Sequence, residues 1–269
     1  MTPITPDTYG TRGWIPARDF AFARDVTCAP LAIWEILRAA QAMPVVLARR
    51  ADAWTAIAVM GTTGGRNALV AADGRWCAEF VPMSVRLHPF CLDTEGRLCL
   101  VPGIAPAAIG APGVLPFLEN GQLAPRLEQA RRYMSAHARG VRAVGRALSL
   151  LHDRRALLSG DETLARRCRD LAPGTEILVV DAERLAALAD GDVLTLFRSG
   201  AMRWLHAHLD SLHRLDQLDR IARRADRTDN AGPLRVAAAE PDAVSDLMSA
   251  MLSDQGDADL RALIEGRAR

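Results

Sequence analysis

No lysine occurs anywhere in this chain; every basic side chain is arginine. Schiff-base chemistry and a lysine general base are therefore excluded. Aromatic residues are scarce at 5%, and neither sign of charge dominates, the formal net charge being +1. A dedicated nucleic-acid binder would carry a basic excess on one face, so nucleic acid is not an expected partner. The five cysteines, Cys28, Cys77, Cys91, Cys99 and Cys168, are odd in number and include no C-x-x-C pair. That argues against a disulfide framework and against a cysteine-rich zinc site. Met1 to Arg12 lacks the apolar core of a secretory signal, which leads to the expectation of a cytoplasmic protein.

The patterns of common enzymes are missing too. Gly61-Thr-Thr-Gly-Gly65 is followed by no Lys-Ser/Thr and is not a nucleotide-phosphate loop. Neither a G-x-S-x-G elbow nor a dinucleotide fingerprint after a strand occurs, and no cofactor is expected. Leu98 to Leu118 carries no charge and is long enough in principle to cross a bilayer. Pro102, Pro106, Pro112 and Pro116 would break any helix there, so it reads as an irregular connection or lid over apolar surface rather than a membrane span.

What is present is a globular composition, 49% hydrophobic and 24% charged over 269 residues, enough to bury a sizeable core. Leu31 to Met43 reads as a helix that opens after Pro30 and stops before Pro44. Pro44 to Arg50 and Trp54 to Met60 read as strands, and Asp73-Gly74 as a hairpin turn between Ala68–Ala71 and Arg75–Phe80. Asn120-Gly121 marks another turn. Pro125 then opens a long helix to about Asp153, in which Gly140 and Gly145 point to close packing against a neighbour. Glu176 to Val180 reads as a buried strand. Asp181 caps a helix from Ala182 to Ala189, Asp190 or Asp192 caps the next, and Ala201 opens a helix to about Ala225. The expectation is an α+β fold: an amino-terminal antiparallel sheet with a covering helix, and a mainly helical carboxy-terminal half. Three consecutive regions follow, a sheet-rich 1–122, a helical 123–228 and a helical tail 229–269.

The run Asn67-Ala-Leu-Val-Ala-Ala-Asp-Gly-Arg-Trp76, with Val81-Pro-Met-Ser-Val-Arg-Leu-His-Pro-Phe90 after it, resembles the signature of the SapC family, named after a bacterial surface-layer gene product. Phe20-Ala-Phe-Ala-Arg-Asp-Val26, Pro30-Leu-Ala-Ile-Trp-Glu35, Ile177-Leu-Val-Val-Asp181 and Ala207-His-Leu-Asp-Ser211 agree in order. The resemblance covers roughly residues 18–224. The family brings no established reaction with it. Its hydrophobic frame is kept here while polar positions change, with Arg66 before Asn67 and Arg86-Leu-His88 in place of a doubled arginine and tyrosine.

The ligand-binding candidates are Glu35, Asn67, Arg75, Arg86, His88, His208 and Ser211. On a helical wheel Ala201, Trp204, Leu205, His208, Ser211, Leu212 and Leu215 share one arc, so His208 points inward and His206 and His213 outward. The outward pair are about 10 Å apart along the axis, too far for one metal ion, and no metal site is expected. Glu35, if buried, needs a cation, and Arg86 is the chosen partner. An extended Arg86-Leu-His88 would put both polar side chains on one face. The first functional reading is a non-catalytic binding or accessory protein with a protein or peptide partner. The second is an enzyme or small-ligand sensor using Glu35, Arg86, His88 and His208. In the tail, Val244, Leu247, Met248, Met251 and Leu252 form one apolar stripe that docks on the body or makes a homodimer.

Overall fold

The computed structural model describes residues 2–61, 65–155, 157–168, 174–198 and 200–229. It is α+β, and the chain divides into two compact units that interleave rather than follow one another. Met1–Asp19 and Arg86–Ala136 form one, Phe20–Val85 and the described residues from His137 onward the other. The long helix Pro125–Arg155 gives its first part to one unit and the rest to the other. The tail stripe from Val244 to Leu252 lies outside the described residues.

The larger unit is built on a five-stranded antiparallel sheet in the spatial order Leu158–Gly160, Glu176–Val180, Val45–Arg50, Ala53–Val59, Cys28–Leu31. The central strand Val45–Arg50 is buried along its first four residues, as an apolar run between two neighbours requires. Pro30, expected just ahead of a helix, lies instead in the edge strand Cys28–Leu31, where a missing N–H costs no ladder bond. The helix starts later, at Ile36, and runs to Ala42. It packs against Ala201–Ser211, and both touch the central strand. The expected helix to Ala225 is two, Ala201–Ser211 and Arg214–Asp229. The Asp73-Gly74 turn forms with Gly74 at φ 87°, closed by Ala71 N–H to the Arg75 carbonyl at 2.9 Å and Cys77 N–H to the Leu69 carbonyl at 2.8 Å, but the pairing amounts to the bridge Val70–Trp76 rather than the expected flanking strands.

Gly140 and Gly145 do make close approaches. A Cβ on Gly140 would stand 2.5 Å from the Trp34 ring and 2.7 Å from the Ala32 side chain, and one on Gly145 2.7 Å from the Trp54 carbonyl.

The smaller unit is made of short strands around an aromatic cluster. Arg12–Trp14 is flanked by Ala107–Ala108 and Leu115–Pro116, and Phe90–Leu92 pairs with Leu98–Leu100. Trp14 stands edge-on to Phe90 at 4.9 Å, and Phe90 to Phe117 at 6.5 Å. Ile4, Leu98, Leu100 and Leu127 close this core. The uncharged stretch Leu98 to Leu118 thus begins in a buried strand and near its other end buries Phe117, but its middle is open: Ile104 is 36% and Ile109 49% exposed. Its ends pack on the core while its tip is exposed, and its prolines and glycines permit pairing only in two- and three-residue pieces. Among the described residues, no helix is long and apolar enough to cross a membrane.

Candidate functional site

Among the described residues, the buried polar side chains of the larger unit gather into three knots that tie backbone to backbone. The first sits where the sheet splays. Glu176–Val180 and Val45–Arg50 pair at Arg49↔Glu176, Ala48↔Ile177 and Leu47↔Leu178, and stop there. The same register would next bond Val45 to Val180. The helix Ala201–Ser211 inserts two side chains at that rung instead. Val180 N–H donates to His208 Nε2 at 3.2 Å, and His208 Nδ1 lies 2.8 Å from the Val45 carbonyl. Val45 N–H donates to Ser211 Oγ at 2.9 Å, and that hydroxyl donates to the His208 carbonyl at 2.7 Å.

Because a backbone N–H can only donate, Nε2 must be the acceptor, which fixes the neutral Nδ1–H tautomer. Burial pushes the His208 pKa down to about 4, with the Val45 carbonyl opposing weakly. The ring is fully buried, and the wheel prediction holds: Ala201, Trp204, Leu205, His208 and Ser211 face in while Arg203, His206, Asp210 and His213 face out. Both nitrogens are spent on the fold, so His208 has no free position from which to move a proton for a substrate.

Glu35 forms the second knot. It is 3% exposed at the start of Ile36–Ala42. Its Oε2 accepts the Ala32 N–H at 2.9 Å and its Oε1 the Met83 N–H at 2.8 Å. His137 Nε2 lies 2.9 Å from Oε2, yet that nitrogen makes no aligned hydrogen bond. The contact is close in distance and poor in angle, so it counts as an electrostatic approach rather than a directed bond. The ionisable side chain that the structure brings to Glu35 is His137, which the sequence reading does not single out. Gly140, one turn beyond His137, receives the Trp34 ring, whose buried indole N–H also lacks a hydrogen-bond partner.

Asn67 makes the third. Its Nδ2 donates to the Ala23 carbonyl at 3.1 Å, its Oδ1 accepts the Leu69 N–H at 2.9 Å, and its own N–H reaches the Arg24 carbonyl at 2.7 Å. Phe20 packs on Trp76 at 5.3 Å nearby, and Trp76 Nε1 donates to the Phe80 carbonyl. Arg75 is different: it is exposed, 3.8 Å from Asp73 at the turn. Arg86 and His88 belong to the smaller unit. Met83–Arg86 is a helical turn and His88 lies in the turn after it, so the extended Arg86-Leu-His88 with both side chains on one face does not occur. Burial lowers the His88 pKa. No group of three or more metal-ligating side chains occurs among the described residues.

Segments that carried the resemblance thus meet through these knots: Phe20–Val26 with Asn67–Trp76, and Pro30–Glu35 with Val81–Met83. They define an α+β protein whose motif residues hold the backbone together. The chain belongs to the SapC family, whose model matches residues 4–218. No curated protein and no solved structure matches it.

Proposed function

We propose that this SapC-family chain is a non-catalytic binding or accessory protein that works with a protein or peptide partner. The observation that carries the reading is the helix Asp190–Arg198, which buries none of its side chains. Val193 and Leu194 are 39% and 46% exposed and Phe197 71%, on one face of that helix. Clustered apolar exposure of this kind marks a contact surface, and Phe is among the residue types enriched in such contacts. The partner's matching surface is apolar. The motif residues Glu35, Asn67, His208 and Ser211 meanwhile serve the backbone, which agrees with a scaffold role.

The test is to purify the full chain with its partner from the native host, identify the partner and reconstitute the pair from purified components. Leu194→Asp with Phe197→Asp should weaken reconstituted binding at least tenfold while the thermal midpoint stays put. Binding unchanged by the double variant overturns the reading. A small-ligand sensor is the second reading, favoured by the buried Glu35–His137 approach and the orphaned Trp34 indole N–H. A bound molecule seen by native mass spectrometry, and lost in Glu35→Gln, would favour it.

A further inference from the structure

The hairpin Phe90–Leu92/Leu98–Leu100 places Cys91 directly opposite Cys99. Its register is pinned at the turn. Asp93 Oδ1 accepts the Glu95 and Arg97 N–H groups at 2.9 Å each, and Oδ2 takes Arg97 Nε at 2.7 Å. Asp93 N–H reaches the Arg97 carbonyl at 3.0 Å, and Val101 N–H the Pro89 carbonyl at 2.9 Å. Counting two residues inward from either rung makes Cys91 and Cys99 a hydrogen-bonded pair, whose Cα atoms stand about 5.5 Å apart. That falls inside the disulfide window of roughly 4.4–6.8 Å. Residues paired across a ladder share a face, so both side chains stand on one side of the hairpin, opposite the face that carries Phe90, Leu98 and Leu100 into the core. The Cys91 thiol already leans across the ladder, 3.7 Å from the Cys99 carbonyl. All five cysteines stand as thiols.

We propose that Cys91 and Cys99 form a thiol–disulfide exchange site, a cross-strand pair oxidised by low-molecular-weight disulfides of the glutathione type. Cys91 is half-buried and Cys99 fully buried, so Cys91 is the entry thiol. Its thiolate attacks one sulfur of the oxidised disulfide, forming a mixed disulfide and releasing one small thiol. The Cys99 thiolate then attacks the Cys91 sulfur, closing the bridge and releasing the second. Both protein protons leave on the two small thiols, and the protein loses two electrons to the oxidant. Cβ atoms at such a rung lie about 4.5–5.5 Å apart, against roughly 3.5–4.5 Å in a disulfide. Closure therefore draws the strands together and leaves a strained, readily reduced bond. Burial pushes both thiols up, so exchange is slow at neutral pH and quickens as pH rises.

The experiment uses the full chain with the exposed Cys77 changed to Ser. It is incubated folded with excess oxidised glutathione, then alkylated, digested with trypsin and weighed. Arg97 lies between the two cysteines, so the bridge joins two tryptic peptides into one species lighter by two hydrogens. That species should form without denaturant, form faster at higher pH, disappear with dithiothreitol and be absent in Cys91→Ser. Full alkylation of both residues after oxidation overturns the proposal. So does a bridge seen only in denaturant, a persistent glutathione adduct on Cys91, or a bridge that joins other cysteines instead.

Discussion

His208 and His137 are both buried imidazoles in the larger unit, and their surroundings differ in kind. His208 stands between two strands and meets only backbone: a donor at Nε2, an acceptor at Nδ1. His137 stands on the long helix and meets a carboxylate, off line. The first environment has one compatible protonation state, because a proton added at Nε2 would face the Val180 N–H. The second offers a carboxylate close by but no aligned hydrogen bond. A buried histidine therefore becomes structural through its second nitrogen: when the backbone claims both, chemistry is closed.

His208→Ala should cost on the order of 4–5 kcal/mol, since it leaves a buried N–H and a buried C=O unpaired and opens a cavity. Denaturant unfolding measures it, and a loss under about 1 kcal/mol would show that water or the strands themselves refill the rung. The pH dependence comes next. The folded pKa of about 4 lies below the unfolded value, which is roughly 6.5. The unfolded chain then binds the extra proton first as pH falls. The contribution is complete above about pH 6.5, falls away toward the folded pKa, and amounts to about 3 kcal/mol. His208→Asn should flatten that part of the acid limb; an unchanged limb would assign it to other groups.

Glu35 sharpens the same contrast. Glu35→Ala leaves the Ala32 and Met83 N–H groups without their acceptor and removes the carboxylate beside the His137 ring, an expected loss of about 3 kcal/mol. If His137→Ala costs as much, the off-line approach is worth a full bond. A cost under about 1 kcal/mol assigns the binding of Glu35 to the two backbone donors.

How far these knots were visible beforehand differs. Helical spacing alone turned His208 and Ser211 inward, because a wheel needs only local periodicity. It could not say what they would meet, because the missing rung between Val45 and Val180 exists only once two strands far apart in sequence have found their register. The His137 that approaches Glu35 comes from the long helix, whose inward face is not legible without knowing what packs on it. The short strands of the smaller unit escaped for another reason: two- and three-residue pieces such as Ala107–Ala108 carry no alternation to read. Turn chemistry fared better. Asn120-Gly121 and Asp73-Gly74 both turn the chain, with Asn120 at φ 52° and Gly121 at φ 77°.

Gly140 tests the wall behind the Glu35 knot. Alanine would favour the helix by about 1 kcal/mol, but its methyl would stand 2.5 Å from the Trp34 ring and 2.7 Å from Ala32. Overpacking of that order costs roughly 1–3 kcal/mol, so Gly140→Ala should lose about 1–2 kcal/mol net. A stabilised variant in thermal melts would show that Trp34 has room to move.

The smallest expected effect lies one residue beyond Val180, where the strand gives way to Ala182–Ala186. Asp181 Oδ1 accepts the Arg184 N–H at 3.0 Å, and Oδ2 stands 3.2 Å from Arg184 Nε. As with His208, a side chain satisfies a backbone donor at the end of the same strand. Here water can reach the site, and the Arg184 side chain is 59% exposed, so the donor is not stranded when the carboxylate is removed. Asp181→Ala should therefore cost only about 1 kcal/mol. Asp181→Asn keeps the cap and loses the exposed ion pair, an expected change of about 0.5 kcal/mol or less. A loss at Asp181→Ala as large as that at His208→Ala would mean that the depth of the rung, rather than its hydrogen bonds alone, has been misjudged.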